Sequence, residues 1–261
     1  MQAGSDRMPK ITLQIYPLGI VDFEEMLALQ RRLVFEVSGD RNQAVLLICE
    51  HNPMISVGRQ GSRTHIHFDQ RELQLRGWDI RWVNRGGGCL LHMPGQWSIY
   101  PILPLDKFQI GLQQYLDRLH RVLIDTVRDC MVREATVFPG HLGIWASQRL
   151  LAHVGLAVRD WVSYYGAALN VSPDLEFFRK VNCGGSTLPM TSLVRERHLA
   201  VNPELVRQFL IERFLEQFPC ERVVMGQNHP SLPAPVEFTG RNADGLAFGK
   251  DRSHAVIAVG D

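Results

Sequence analysis

The stretch 181-VNCGGSTLPMTSL-193 sets a cysteine, Cys183, directly before two glycines. A thiolate is a strong nucleophile and can carry an acyl group as a covalent intermediate. Glycines beside it would leave backbone N–H groups open to stabilise the oxyanion formed on attack. A lone cysteine in a loop is also compatible with inert filler, so the surrounding segments must decide.

Three other segments could share a site with it. In 84-NRGGGCLLHMPGQWSIYPIL-103, Arg85 is followed by Gly86, Gly87 and Gly88, then by a strand, His92 and a Pro94–Gly95–Gln96 turn. Three consecutive glycines allow close backbone approach or positive φ. With an arginine and a histidine they suit a carbonyl-bearing or anionic ligand. No helix opens directly after them, so this is not a dinucleotide fingerprint. In 149-RLLAHVGLAVRDWVSYYGAALNV-171 two strands meet at a turn near Arg159–Asp160, and Gly155, Gly166, Ala167 and Ala168 leave room beside them. Small residues on adjacent strands make a floor on which an apolar chain can lie. The segment 51-HNPMISVGRQG-61 reads as a turn, a short strand and a Gly58–Arg59 loop.

The elements that must position these residues are legible in outline. A helix starts at Asp22, with Glu25 three residues on as in a capping box, and carries Met26, Leu29 and Leu33 inward. A second covers roughly 109–129, with Leu112, Leu116, Leu119, Leu123 and Val127 in step. A third opens at Asn202–Pro203 and turns Val206, Phe209, Leu210 and Phe214 inward. Between them lie β-like runs at 11–18, 44–50, 79–84, 97–103, 142–147, 150–158 and 162–171. Strands and helices are interspersed without a regular βαβ repeat. The expectation is an α/β fold of the α+β type, a mixed sheet with flanking helices. Residues 1–225 form the main domain, and 226–261 read as an irregular extension whose 254-HAVIAV run could add an edge strand.

Composition narrows the function. The 261 residues are 45% hydrophobic and 21% charged, as in ordinary globular chains. A net charge of +1 calls for no nucleic-acid partner. No apolar run reaches the roughly 18 residues a membrane span needs. Five scattered cysteines with no CxxC pair argue against a disulfide framework and a zinc site, and fit a reducing, cytoplasmic setting.

Taken in order, 50-EHNPMISVGRQG, 85-RGGGCLLHMPGQWSIYPIL, 164-YYGAALNVSPDLEFF and 183-CGGSTLPMTSL resemble the lipoyl(octanoyl) transferase family, also called lipoate-protein ligase B, from about Leu18 to Phe218. The resemblance implies the catalytic-domain fold shared by biotin and lipoate ligases and octanoyltransferases. It implies transfer of an octanoyl group from octanoyl-acyl carrier protein to a lysine of a lipoyl domain, in a 2-oxoacid dehydrogenase or the glycine cleavage H protein. No cofactor is implied. Cys183 is the implied nucleophile; Arg85 to His92, His153, Val154 and Gly155, and Gly166 to Ala168 are the positions implied to enclose the acyl chain and its carbonyl.

The chain departs from the family pattern in three places. The family's Lys-Ile-Ala-x-x-Gly stretch is 150-LLAHVG here, so Leu150 stands where the activating lysine would. Met93 replaces a glycine, and Asn182–Cys183 is one residue shorter than Asn-Pro-Cys. An unassisted thiol has a pKa near 8.5, so losing the lysine costs about 2 kcal/mol, roughly thirtyfold in rate. The expectation is a transferase of reduced activity. The alternatives are a non-catalytic acyl- or carrier-binding homologue, or an ATP-dependent ligase, against which the missing lysine counts. Strand alternation puts Leu150, Ala152 and Val154 on one face and Arg149, Leu151 and His153 on the other, so His153 points away from the lysine's position unless a bulge intervenes.

Overall fold

The computed structural model describes residues 9–138, 140–185 and 187–232. The chain runs through β1 (Thr12–Ile20), α1 (Phe23–Gly39), β2 (Gln43–Glu50), β3 (Met54–Val57), α2 (Gln70–Arg76), β4 (Ile80–Trp82), β5 (Cys89–His92) and β6 (Gln96–Ile102). It continues with α3 (Leu112–Asp129), β7 (Gly143–Ala146), β8 (Arg149–Arg159), β9 (Val162–Asn170), α4 (Leu193–Arg197), α5 (Pro203–Gln217) and β10 (Arg222–Met225). A seven-stranded sheet has the order β10-β1-β2-β6-β9-β8-β7, and a three-stranded sheet the order β4-β3-β5. Strands β10, β1 and β2 run parallel and the rest of the large sheet is antiparallel, so the sheet is mixed.

The three expected helices form where their caps and periods put them. The Asp22 carboxylate accepts the N–H groups of Glu24 and Glu25 at 2.9 and 3.1 Å, satisfying two orphan donors at the start of α1. The Asn202 side chain caps α5 through Glu204 N–H, and Pro203 occupies the first turn. Leu112 was expected to face inward, but α3 starts at this residue, ahead of the packed turns, and it is exposed. The sequence pattern gave no notice of α2, α4 or β10. Helix α2 is only seven residues long, capped by Asp69 through Glu72 N–H and closed by Gly77 in the left-handed region.

Alternation along the central strands decides what each face buries. Ala44, Leu46, Ile48, Ile99, Ala167 and Leu169 face α3 and α5, meeting Leu119, Leu123, Leu210 and Phe214. The intervening Val45, Leu47, Tyr100 and Ile102 meet Met26, Leu29 and Leu33 of α1. Farther along that second face the three-stranded sheet covers β8 and β9, with Ile55, Leu91 and Cys89 packed near Ala168 and Leu150. The site lies between the two sheets. The first residues of the expected extension return to the body: Gly226 N–H donates to Ile15 C=O at 2.8 Å. The 254-HAVIAV run lies outside the described residues.

Candidate active site

An irregularity in β8 sets the geometry. Ile144 pairs with Ala152 and the next residue, Trp145, pairs with Leu150, so Leu151 is an extra residue on β8. This is a β-bulge, and it resets which side chains share a face. Leu151, Ala152 and Val154 all pack into the core against α3 and α5. Leu150 and His153 both turn to the opposite side, where they border one cavity. The strict alternation expected from the sequence therefore fails here, and His153 faces the same cavity as Leu150.

That cavity, about 60 Å³, is also lined by Cys183, Gly184, Gly87 and Trp145. Cys183 is 2% exposed. Its loop is bound edge-on to β5: Cys89 and Cys183 form a parallel bridge, and Gly184 N–H donates to Cys89 C=O at 2.9 Å. Gly185 N–H donates to Asn182 C=O at 3.2 Å. The two glycine N–H groups expected to be open for an oxyanion are thus engaged within the fold. The glycines serve close approach instead. A Cβ on Gly88 would lie 2.7 Å from Gly185 N, so only glycine lets the 86–88 loop meet the cysteine loop.

A second cavity, about 20 Å³, adjoins it and has room for about one water. Its lining includes Arg85, His92, Gly155, Gly166, Ala167 and Ala168, and His153 borders both spaces. A Cβ on Gly155 would sit 2.7 Å from Gly86 C=O, so β8 and the glycine loop touch backbone to backbone. Gly86 N–H donates to Leu156 C=O at 2.9 Å and fixes the loop to the strand. Of the residues singled out in the sequence, Val154 and Ala167 pack in the main core on the far face, and Ala167 also borders this cavity.

The polar groups here are buried and only partly satisfied. Arg85 is 4% exposed; it donates to the carbonyls of Gly86 and Gly88, both at 3.0 Å, and to Ser56 O and Oγ at 3.2 and 2.8 Å. No carboxylate pairs with it among the described residues. Burial lowers its pKa to about 10, which leaves it charged at neutral pH. Ser56 Oγ and His92 Nε2 are hydrogen-bonded at 2.8 Å, and His92 Nδ1 has no partner. His153 Nε2 is buried without a partner. Burial, then the Arg85 charge, pushes His153 down to about 3. Burial first, and then His51, Arg85 and His153, push His92 well below the usual histidine range. Both imidazoles are neutral.

The Cys183 thiol is pushed up to about 12, chiefly by burial, with a contact to the Leu91 backbone and the Arg85 charge pulling the other way. Arg149 does not reach it: its guanidinium is held by Glu196 at 2.8 and 3.0 Å. The sequence reading passed over His51, which is buried beside His92 with ring centroids 5.5 Å apart. Its Nδ1–H donates to Val21 C=O and its Nε2 accepts from the Tyr100 hydroxyl, each at 2.8 Å. Burial lowers it to about 4. Trp145 and Tyr165 were also missed: Trp145 turns to the site between the core-facing Ile144 and Ala146, and Tyr165 reaches it through a left-handed backbone that leaves no residue-type signal.

Residues 22–215 match the lipoyl protein ligase A/B catalytic domain. An octanoyltransferase from Geotalea uraniireducens is 34% identical over 212 residues, covering 79% of this chain and 94% of the relative. The chain belongs to the octanoyltransferase family. A further octanoyltransferase, from Geobacter sp., is 39% identical over 180 residues, covering 69% and 84%. The fold of this chain is shared by protein Ta0514 of T. acidophilum, solved with bound lipoic acid (TM-score 0.67, 15% identity, 85% of this chain and 91% of that one). It is shared too by a lipoate-protein ligase A bound with ATP (TM-score 0.66, 15% identity, 84% and 89%). The resemblance read from the sequence and the expected α/β fold are both shown. Among the described residues no helix is long and apolar enough to cross a membrane.

Proposed function

We propose that this octanoyltransferase moves an octanoyl group from octanoyl-acyl carrier protein to a lysine of a lipoyl domain, holding it in between as a thioester on Cys183. The observation that carries this is the shared wall. Cys183 and His153 border one cavity, and His153 also borders the adjoining cavity floored by Gly155, Gly166 and Ala168. In the first step Cys183 Sγ bonds to the thioester carbonyl carbon, and the carrier's sulfur leaves. The thiol proton passes to His153 Nε2 and from there to the departing thiolate. In the second step the lysine amine attacks the Cys183 thioester, giving an amide and returning the thiol. One thioester replaces another, so the first step is nearly energy-neutral, and the covalent route divides one transfer into two smaller steps.

With the thiol pushed up to about 12 and His153 down to about 3, the proton does not move before attack begins. Burial is the first cause of both shifts, so a polar thioester or water entering the cavity draws the two values together. Leu150 supplies no charge to help, so transfer is expected to be slow. Incubation with octanoyl-carrier protein and intact-mass measurement tests the proposal. The expected result is one octanoyl adduct on the wild type, sensitive to hydroxylamine and absent from Cys183→Ser. The lack of any such adduct refutes the mechanism. The high thiol pKa and Leu150 also favour a second reading, an acyl-binding protein without turnover. It requires octanoate binding with lipoyl-domain modification no faster than in Cys183→Ser.

A further inference from the structure

We propose that Tyr165 is the end wall of the acyl pocket and sets the length of chain the pocket accepts. This rests on the reading that the acyl chain lies along Gly155, Gly166 and Ala168. Along β8 and β9, with Val154–Ala167 between the first two, come the pairs His153–Ala168, Gly155–Gly166 and Leu156–Tyr165. The first pair is beside the Cys183 cavity, the second has no side chains, and the third carries the tyrosine. From residue 168 to residue 165 is about 10 Å at about 3.4 Å per strand residue. An extended octanoyl chain has about that length, and the cavity, now wide enough for about one water, must widen to take it.

Tyr165 reaches this position through an unusual backbone. Strict alternation would place it with Ala167 and Leu169, which pack toward α3 and α5. Its φ is +55°, in the left-handed region that a bulky residue seldom occupies. The ring is thereby turned to the opposite side, among Phe23, Leu27, Met54 and Ala157. The buried Gln30 of α1 secures this turn, its Oε1 accepting Tyr165 N–H at 2.8 Å. A backbone held against its preference by a dedicated buried side chain points to a function for the side chain it aims.

What lies behind the ring makes the wall consequential. Tyr165 lines the 20 Å³ acyl cavity on one side. On the other it lines an open groove of about 350 Å³ whose walls include Leu27, Val34, Trp82 and Val83. Among the described residues no other lines both spaces. Removing the ring joins the pocket to this groove, where a longer chain can lie against Leu27 and Val34; Gln30, Arg31, Asn84 and Arg159 also border it.

Two measurements test this independently of each other. In a Cys183→Ser background, octanoate and dodecanoate binding is compared for Tyr165, Tyr165→Phe, Tyr165→Gly and Tyr165→Trp. Glycine accepts the left-handed backbone and so removes the wall without strain. The parent and Tyr165→Phe should prefer octanoate by at least about tenfold, a discrimination apolar pockets reach per methylene or two. Tyr165→Gly should bring the two within about threefold, and Tyr165→Trp should favour hexanoate over octanoate. Unchanged length ratios in both Tyr165→Gly and Tyr165→Trp, or no fatty-acid binding by any variant, would overturn the role of Tyr165. Transfer from octanoyl- and dodecanoyl-carrier by the same variants with Cys183 intact separates the two readings. Shifted binding without an adduct refutes the Cys183 mechanism and leaves the wall standing. Transfer with unmoved length ratios does the reverse.

Discussion

The two faces of the seven-stranded sheet are built to different standards. Toward α3 and α5, side chains such as Leu119, Leu169, Leu210 and Phe214 are wholly buried and apolar. Toward the three-stranded sheet, the same strands bury Arg85, His51, His92 and His153, with imidazole nitrogens of His92 and His153 left without partners. Burying a polar group without a hydrogen bond costs about 1–3 kcal/mol in proteins. A sheet that can be sealed with leucine on one side, and is not on the other, separates scaffold from site within the thickness of one strand. The bulge at Leu151 and the left-handed Tyr165 both occur where β8 and β9 serve the second face.

Substitutions on the two faces should therefore fail in different ways. Cys183→Ser should reduce transfer to a lipoyl domain by at least about 10⁴-fold, some 5.5 kcal/mol in the barrier, with the melting temperature nearly unchanged. Steady-state rates and calorimetry on one preparation measure both; a rate within tenfold of wild type would contradict the assignment. Phe214→Ala on the opposite face should remove about 3–5 kcal/mol of stability, read by denaturant melts, while the folded fraction keeps its acyl-length preference. A changed preference would mean that the faces are not independent.

Acid should find the polar face first. His51 has a folded pKa of about 4, below the usual 6.5. As pH falls below 6.5 the unfolded chain binds a proton that the folded chain refuses, so stability is lost on acidification toward 4. At about 1.4 kcal/mol per pH unit this amounts to roughly 3 kcal/mol. Urea melts at pH 7 and 4.5 should show the loss, and His51→Gln should remove its own share while leaving those of His92 and His153, which burial depresses in the same way; an unchanged loss would mean that His51 carries none of it. The smallest effect concerns Leu150→Lys. Wild-type Cys183 alkylation by iodoacetamide should still climb with pH beyond 10, because the thiol titrates near 12. An ammonium in the same cavity should move that profile down by about one to two units, worth roughly 10- to 100-fold in thiolate at neutral pH. An unmoved profile would mean that position 150 does not sense the sulfur.

How much of this could be read from the residues follows the same division. The scaffold was legible: Asp22 and Asn202 announce their helices, and the apolar steps of α3 and α5 give the covered face. Short elements escaped, because α2 and β10 are too brief to show a period. Of the positions expected to share a site, Arg85, His92, Gly155, Gly166, Ala168 and Cys183 border two adjoining cavities. The directions of the side chains were not legible. An inserted Leu151 reverses the facing of His153, and no residue type marks it. Gly184 and Gly185 look free to bind an oxyanion until their N–H groups are traced to Cys89 and Asn182.

Arg85 carries one consequence further. It is a full positive charge at the proposed acyl pocket with only neutral oxygens around it. A thioester, which is uncharged, offsets little of that potential. Free octanoate, the acid released whenever water intercepts the acyl group, offsets all of it. The enzyme should therefore be inhibited by its own hydrolytic leak, and each wasted acyl group would slow the waste of the next.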